Sequence, residues 1–214
     1  MSKYPRTPHF FFSKGATNDD RIAHNSENLI GTPIVITEKL DGSNASLTKG
    51  GVFARSHGAY SENPWDQQMW NIHARIEKDI PQDTFIFGEN MEGIHSIEYS
   101  NLRSYFYMFG VRENNIWVTW EKVEEWAYLL DIPMVPILFK GQLNTEKELQ
   151  ELVEELVSQP SEAGGEREGV VVRNAGTFHN DHFYDNVRKW VRADHVQTDN
   201  HWTRNWKRAT IKYD

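Results

Sequence analysis

The 214-residue sequence contains no cysteine. That excludes a disulfide framework, cysteine-ligated zinc and a thiolate nucleophile together, and it suits a cytoplasmic protein. No apolar run approaches the roughly 20 residues of a membrane-spanning helix. The opening, Met1-Ser2-Lys3-Tyr4-Pro5-Arg6, lacks the apolar core of a signal peptide, so no membrane association is expected. Positive charge is in deficit, with 23 Lys and Arg against 31 Asp and Glu and a net charge of −8. That argues against a uniformly basic nucleic-acid binder and leaves room only for a local basic surface. Internal repeats and low-complexity tracts are missing as well. What is present is length enough for one domain with a sizeable core, and 8 tryptophans, several near the C-terminus.

The chain is organised around Thr37-Glu38-Lys39-Leu40-Asp41-Gly42-Ser43-Asn44. Ile34-Val35-Ile36 reads as a buried strand, Lys39 stands at its end, and Asp41-Gly42 makes a turn. Ala45 to Thr48 and Val52 to Arg55 resume as strands around the Gly50-Gly51 turn. A helix is expected over 64–79, with Asn63 as cap, Pro64 in its first turn, and Trp65, Met69, Ile72 and Ile76 on one face. Further strands are expected at 84–89, 105–111, 116–118, 134–139, 169–173 and 183–191. Helices are expected at about 120–130, capped by Thr119, and from the Thr145–Glu148 capping box to about Val157. Trp202 and Trp206 stand at a helical step of four. Strands and helices are interspersed without strict β-α-β alternation, which reads as α+β. Residues 1–30 give no clear pattern beyond a short strand at Phe10-Phe11-Phe12.

Several strand ends carry charge: Lys39 and Asp41, Arg55, Glu89, Glu168 before Gly169, and Lys189 with Arg192. Brought to one cleft, these would set a lysine nucleophile among carboxylates and cations. That set suits attack on a phosphate. Cations stabilise charge on the transferring phosphoryl oxygens, carboxylates hold a divalent metal or a ribose hydroxyl, and neighbouring cations are expected to depress the lysine pKa. A lone K-x-D-G is common, and its bland reading is a hairpin with a surface lysine.

Six segments in order turn this into a resemblance. Glu38-Lys39-Leu40-Asp41-Gly42-Ser43-Asn44 resembles K-x-D-G-x-N, and Arg55 fits the arginine that follows. Phe87-Gly88-Glu89 fits F-x-G-E. Tyr107 to Val111 resembles an aromatic strand, Glu168 to Arg173 resembles E-G-x-V-x-[KR], and Val187 to Arg192 resembles a final lysine motif. Together they resemble the ATP-dependent RNA ligase family of covalent lysine nucleotidyltransferases. The resemblance implies an ATP-grasp-like ligase adenylation domain, α+β, with antiparallel sheets and flanking helices. It implies ATP and Mg²⁺ or Mn²⁺, an RNA with 3′-hydroxyl and 5′-phosphate ends, and a role in RNA repair. By it, Lys39 takes AMP from ATP, Glu89 contacts the ribose, Phe109 (with Phe106 as rival) stacks on adenine, Glu168 engages the metal, and Lys189 holds the α-phosphate. Glu38 contacts the adenine edge. Asp41 and Asn44 either support the lysine and phosphates or only shape the turn.

Two departures stand out. The final motif has Val187 and Val191 where a second lysine is expected, so Arg188 or Arg192 is the candidate replacement, with Arg192 contacting phosphate or the RNA end. About 20 residues follow that motif, too few for an OB-fold domain, so 1–214 reads as a single adenylyltransferase domain with a basic aromatic segment at about 194–214. From Val187 to Lys212 there are seven Arg or Lys and two Asp. Arg204, Lys207 and Arg208, interleaved with Trp202 and Trp206, are expected to meet RNA phosphates and bases. The alternative is a Trp-anchored helix with a solvated basic face. His179, His182, His195 and His201 are too irregularly spaced to suggest a metal site. The short C-terminus speaks against the two rival enzymes, a DNA ligase and a capping guanylyltransferase. The full set of reactive side chains speaks against a non-catalytic nucleotide- or RNA-binding module. No oligomeric state is implied.

Overall fold

The alternation Ile34-Val35-Ile36 builds a strand buried on both faces because each β-carbon points to the opposite face from the last. Ile34 and Ile36 pack towards one helix-covered core while Val35 packs into another. The structure is a computed structural model that describes residues 3–17, 20–54, 59–193 and 202–212. In chain order its elements are β1 (His9–Phe10), β2 (Ile22–Ala23), β3 (Pro33–Lys39), β4 (Ser43–Thr48), β5 (Gly51–Ala54), α1 (Gln67–Ile76), β6 (Thr84–Asn90), β7 (Phe106–Glu113) and β8 (Ile116–Trp117). There follow α2 (Trp120–Leu130), β9 (Ile137–Gln142), α3 (Glu146–Val157), β10 (Gly169–Asn174), β11 (Phe178–His179), α4 (Phe183–Asn186) and β12 (Val187–Val191).

The strands form two six-stranded sheets. One has the order β2-β1-β12-β10-β3-β9 and the other β11-β8-β7-β6-β4-β5. Pairing is antiparallel except that β1 runs parallel to both β12 and β2. The chain crosses from the first sheet to the second between Lys39 and Ser43, so the Leu40-Asp41-Gly42 turn is the junction of the two sheets.

Each sheet has its own helical cover. Leu149, Val153 and Leu156 of α3 pack on Ile34, Ile36, Val170, Val172 and Trp190. Met69 and Ile76 of α1, with Val123 and Leu130 of α2, pack on Leu47, Val52, Ile86 and Val111. Each such side chain contributes about 1.5–3 kcal/mol on burial. The helix starts follow their sequence signals. Thr119 Oγ1 accepts from Lys122 N–H at 3.3 Å and Thr145 Oγ1 from Glu148 N–H at 3.1 Å. Asp131 ends α2 in the left-handed region, φ 52°.

Four expectations are corrected. Residues 183–186 are a helical turn, with Asn186 Nδ2 donating to His182 O at 2.8 Å, and the strand begins only at Val187. The strand expected at 134–139 runs Ile137–Gln142 instead. Pro136 has no N–H to give a ladder, and its carbonyl accepts from Glu38 N–H at 2.8 Å. Asn63 gives no cap, its amide donating to Asp66 and Ser61. Trp202 to Asn205 is one 3-10 turn, and Trp206 lies beyond it. Among the described residues no helix is long and apolar enough to cross a membrane.

Candidate active site

Lys39 is placed by strand register. β10 pairs antiparallel with β3, Gly169 opposite Lys39 and Val170 opposite Glu38. Glu168, one residue before that pairing, is fully buried, and its Oε1 takes an ion-paired hydrogen bond from Lys39 Nζ, whose side chain is 26% exposed. Gly169 is required by packing, because a β-carbon there would sit 2.0 Å from the Trp190 carbonyl oxygen of β12. Gly42 plays the same part on the other side. A β-carbon there would meet the Asn90 carbonyl oxygen at 2.5 Å and Glu89 Cγ at 3.0 Å. The bare turn therefore brings Glu89 of β6 against Lys39.

Three carboxylates thus surround one ammonium. Burial works against the Lys39 charge, but Glu168, Glu89 and Asp41 outweigh it and hold its pKa above the ordinary value. The expectation that cations depress this pKa is corrected for the described residues, and Arg55 lies outside them. Burial pushes the Glu89 carboxyl up to about 8, with Glu168 and Asp41 adding to the shift and Lys39 opposing it. Burial likewise raises Glu38, against hydrogen bonds from Ser161 and the Glu162 N–H and the Arg167 charge. Glu38 Oε2 faces Arg167 at 3.5 Å, while among the described residues Glu38 Oε1 is buried with no hydrogen-bond partner.

Lys39 opens onto a cavity of about 500 Å³ that Glu38, Asn44, Glu89, Phe109 and Lys189 also line. Phe109 lines the cavity with Val171, while its rival Phe106 is wholly buried in a core cluster and is not among the cavity-lining residues. Beyond Phe109 lies an aromatic cluster missed from the sequence. Tyr4 meets Phe109 and Phe183 at 5.1 Å each, and Phe87 at 5.4 Å. Arg173 lines this end too, its guanidinium bound to the Val118 carbonyl.

Lys189 reaches the cavity because β12 alternates. Val187 and Lys189 face inward, Lys189 opposite Val171, while Trp190 packs on the other face. Asp20 Oδ1 lies 4.0 Å from Lys189 Nζ and 3.5 Å from His9 Nε2. Burial, then the Lys189 charge, lowers His9 to about 4, so it is neutral at pH 7. The pairing of β1 with β12 sets His9 opposite Lys189. Nothing local in the sequence marked His9 or Asp20; only that register reveals them.

The other expected residues go elsewhere. Asp41 shapes the turn, its Oδ2 accepting from Ser96 N–H, Ser96 Oγ and Ile97 N–H at 2.8, 2.7 and 2.8 Å. Arg188 binds the backbone carbonyls of Tyr184, Val187 and Asn25. Arg192 is ion-paired with exposed Glu166 and is not among the cavity-lining residues. Arg208 pairs with fully buried Glu92 at 2.8 Å, and Arg204 and Lys207 are exposed on the same segment. His179 and His182 face Asp181 and Asp185 at the surface, and His195 and His201 lie outside the described residues. Among the described residues no group of three or more His, Asp or Glu could cage a metal ion.

Residues 32–191 match the family model described as RNA ligase. Among solved structures, a variant of the Naegleria gruberi RNA ligase with ATP and Mn aligns with a TM-score of 0.63 and 18% identity, covering 90% of this chain and 58% of that one. An archaeal ATP-dependent RNA ligase gives 0.62 and 16%, covering 90% and 49%. A protein of Aquifex aeolicus assigned as an ATP-dependent DNA ligase gives 0.57 and 18%, covering 89% and 50%. Such identities speak for a shared fold. The chain spans about half to three-fifths of the length of these structures. No curated protein matches it.

Proposed function

This chain belongs to the RNA ligase family, and from that premise we propose that it joins RNA 3′-hydroxyl and 5′-phosphate ends at the expense of ATP. The observation that carries the reading is Lys39 at the junction of the sheets, bonded to Glu168, flanked by Glu89, and opening on a cavity that also holds Phe109 and Lys189.

Lys39 Nζ, after losing a proton, attacks the α-phosphorus of ATP. A P–N bond forms, the bond to the bridging oxygen breaks and pyrophosphate leaves. Glu168, already hydrogen-bonded to Nζ, is positioned to take the proton. Lys189 stabilises the charge that develops on the α-phosphate oxygens. An oxygen of the RNA 5′-phosphate next attacks the same phosphorus and Lys39 leaves. The RNA 3′-hydroxyl then attacks the 5′-phosphate and AMP departs.

Adenine fits between Phe109 and Val171, where stacking needs only a π-face. Glu38 Oε1 is an acceptor in want of a donor, and the adenine 6-amino group supplies one. Guanine presents its O6 acceptor at that edge, so the same carboxylate repels it. This disfavours capping chemistry. Glu89, protonated at pH 7, can donate to as well as accept from a ribose hydroxyl. Glu168 is the hard-oxygen donor that would hold Mg²⁺ or Mn²⁺ together with phosphate oxygens, since Asp41 is spent on Ser96 and Ile97. When bound, the ion neutralises phosphate charge as a Lewis acid.

The test follows radiolabel from α-labelled ATP or GTP in the presence of RNA bearing both ends. Label should pass from protein to the RNA 5′ end and emerge as AMP as strands join. ATP should be used at least about tenfold better than GTP. Preference for GTP, label that never reaches RNA, or equal sealing of an all-DNA nick would each contradict the reading.

A further inference from the structure

A second aromatic group lines the same cavity and has no part in the chemistry above. Trp65 lies on the 3-10 turn Pro64–Asp66, Trp202 on the turn Trp202–Asn205, and His95 between β6 and β7. The His95 ring is stacked on Trp202, centroids 3.9 Å and planes 27° apart, and Trp65 meets Trp202 edge-on at 5.0 Å. All three are half-buried, and none belongs to a hydrophobic core cluster among the described residues.

The group is anchored from three directions. Gly93 leaves the gap that seats Trp202, since a β-carbon there would lie 2.7 Å from its ring. Ile94 N–H donates to Lys207 O at 2.9 Å and Ala209 N–H to Glu92 O at 2.8 Å, so the C-terminal segment runs against residues 92–94. Glu92 adds its ion pair with Arg208 and accepts from Gln68 N–H at 2.8 Å, close in sequence to Trp65. Asp41, two residues beyond Lys39, holds the backbone just after His95. The rings are therefore fixed relative to Lys39. Arg204 and Lys207 are exposed on the segment that carries Trp202.

We propose that Trp65, Trp202 and His95 form the stacking site for the base of the nucleotide that carries the RNA 5′-phosphate. This rests on the ligase reading and names where its second substrate sits. A rigid aromatic surface accepts any base by its π-face, and Arg204 and Lys207 are placed to meet phosphates further along the strand. The site accepts an unpaired or splayed base and carries no base-edge readout.

The test uses the full chain and a 5′-phosphorylated RNA whose first nucleotide is 5-iodouridine. Photo-cross-links should map to Trp65, Trp202 or His95, and should be lost when the iodouridine is moved several nucleotides downstream. The same RNA with an abasic first nucleotide should bind about tenfold more weakly, and Trp202→Leu should erase that difference. Cross-links elsewhere in the chain, or equal binding of abasic and intact RNA by the unaltered protein, would overturn the proposal. AMP transfer to Lys39, measured without RNA, reports on the ligase reading by itself, so the two can fail separately.

Discussion

At the scale of the residue, Glu89 is held in a state that the unfolded chain would not choose. Its ordinary pKa is 4.5, and burial lifts it to about 8 in the folded protein. Between those values the native state binds the extra proton. Its contribution to stability is therefore full below pH 4.5 and is lost as the pH rises to about 8, at up to about 1.4 kcal/mol per pH unit. Glu89→Gln cannot titrate. Its melting temperature without nucleotide should rise relative to the unaltered protein across that window and hold a constant lead above it. A lead that does not change with pH would show that Glu89 is already ionised. The reason for tolerating the strain is chemical, since the shift comes from desolvation beside the lysine that must act. Lys39 in turn is kept protonated chiefly by Glu168, so in this account nucleophilicity arises as nucleotide and metal engage that carboxylate.

At the scale of the element, β12 divides its charged residues by face. Lys189 points into the cavity, whereas Arg192, just past the strand, is tied to Glu166. Lys189→Ala should lower AMP transfer to Lys39 by about a hundredfold or more, as loss of a charge-stabilising donor does. Arg192→Ala, which removes an exposed pair, should change it by less than about threefold. Comparable losses in the two variants would restore Arg192 as the substitute for the missing second lysine. The motif strands were legible in the sequence because their hydrophobic alternation and charged ends are local features. Lys39, Glu89, Glu168 and Lys189 could accordingly be named from the sequence as side chains that strand ends would bring together. The 183–186 turn was not, because Phe183 and Val187 fit a strand period while Asn186 closes the turn with a hydrogen bond no pattern displays. The His9–Asp20–Lys189 contact was hidden for a different reason. It depends on a two-residue strand, β1, pairing in parallel with one some 180 residues away.

At the scale of the whole molecule, two sheets meet at the Leu40-Asp41-Gly42 turn, and the cavity draws on both. The α+β class and the helical covers followed from composition and periodicity. How the sheets pair, and that the C-terminal tryptophans fold back on residues 92–95, required long-range register that no window of sequence contains. The net charge of −8 does not by itself oppose the proposed RNA substrate, because exposed Arg204 and Lys207 lie together on the C-terminal segment and form a local basic surface. All of this converges on one lysine, and the direct measurement is of that side chain. The protein is incubated with ATP and Mg²⁺ or Mn²⁺ without RNA, and its intact mass and peptides are determined under basic conditions, which preserve a phosphoramidate. The account predicts a single AMP on Lys39, removed by acid and absent from Lys39→Ala. An adduct on any other residue, an adduct that survives in Lys39→Ala, or an unchanged mass with both metals would contradict it.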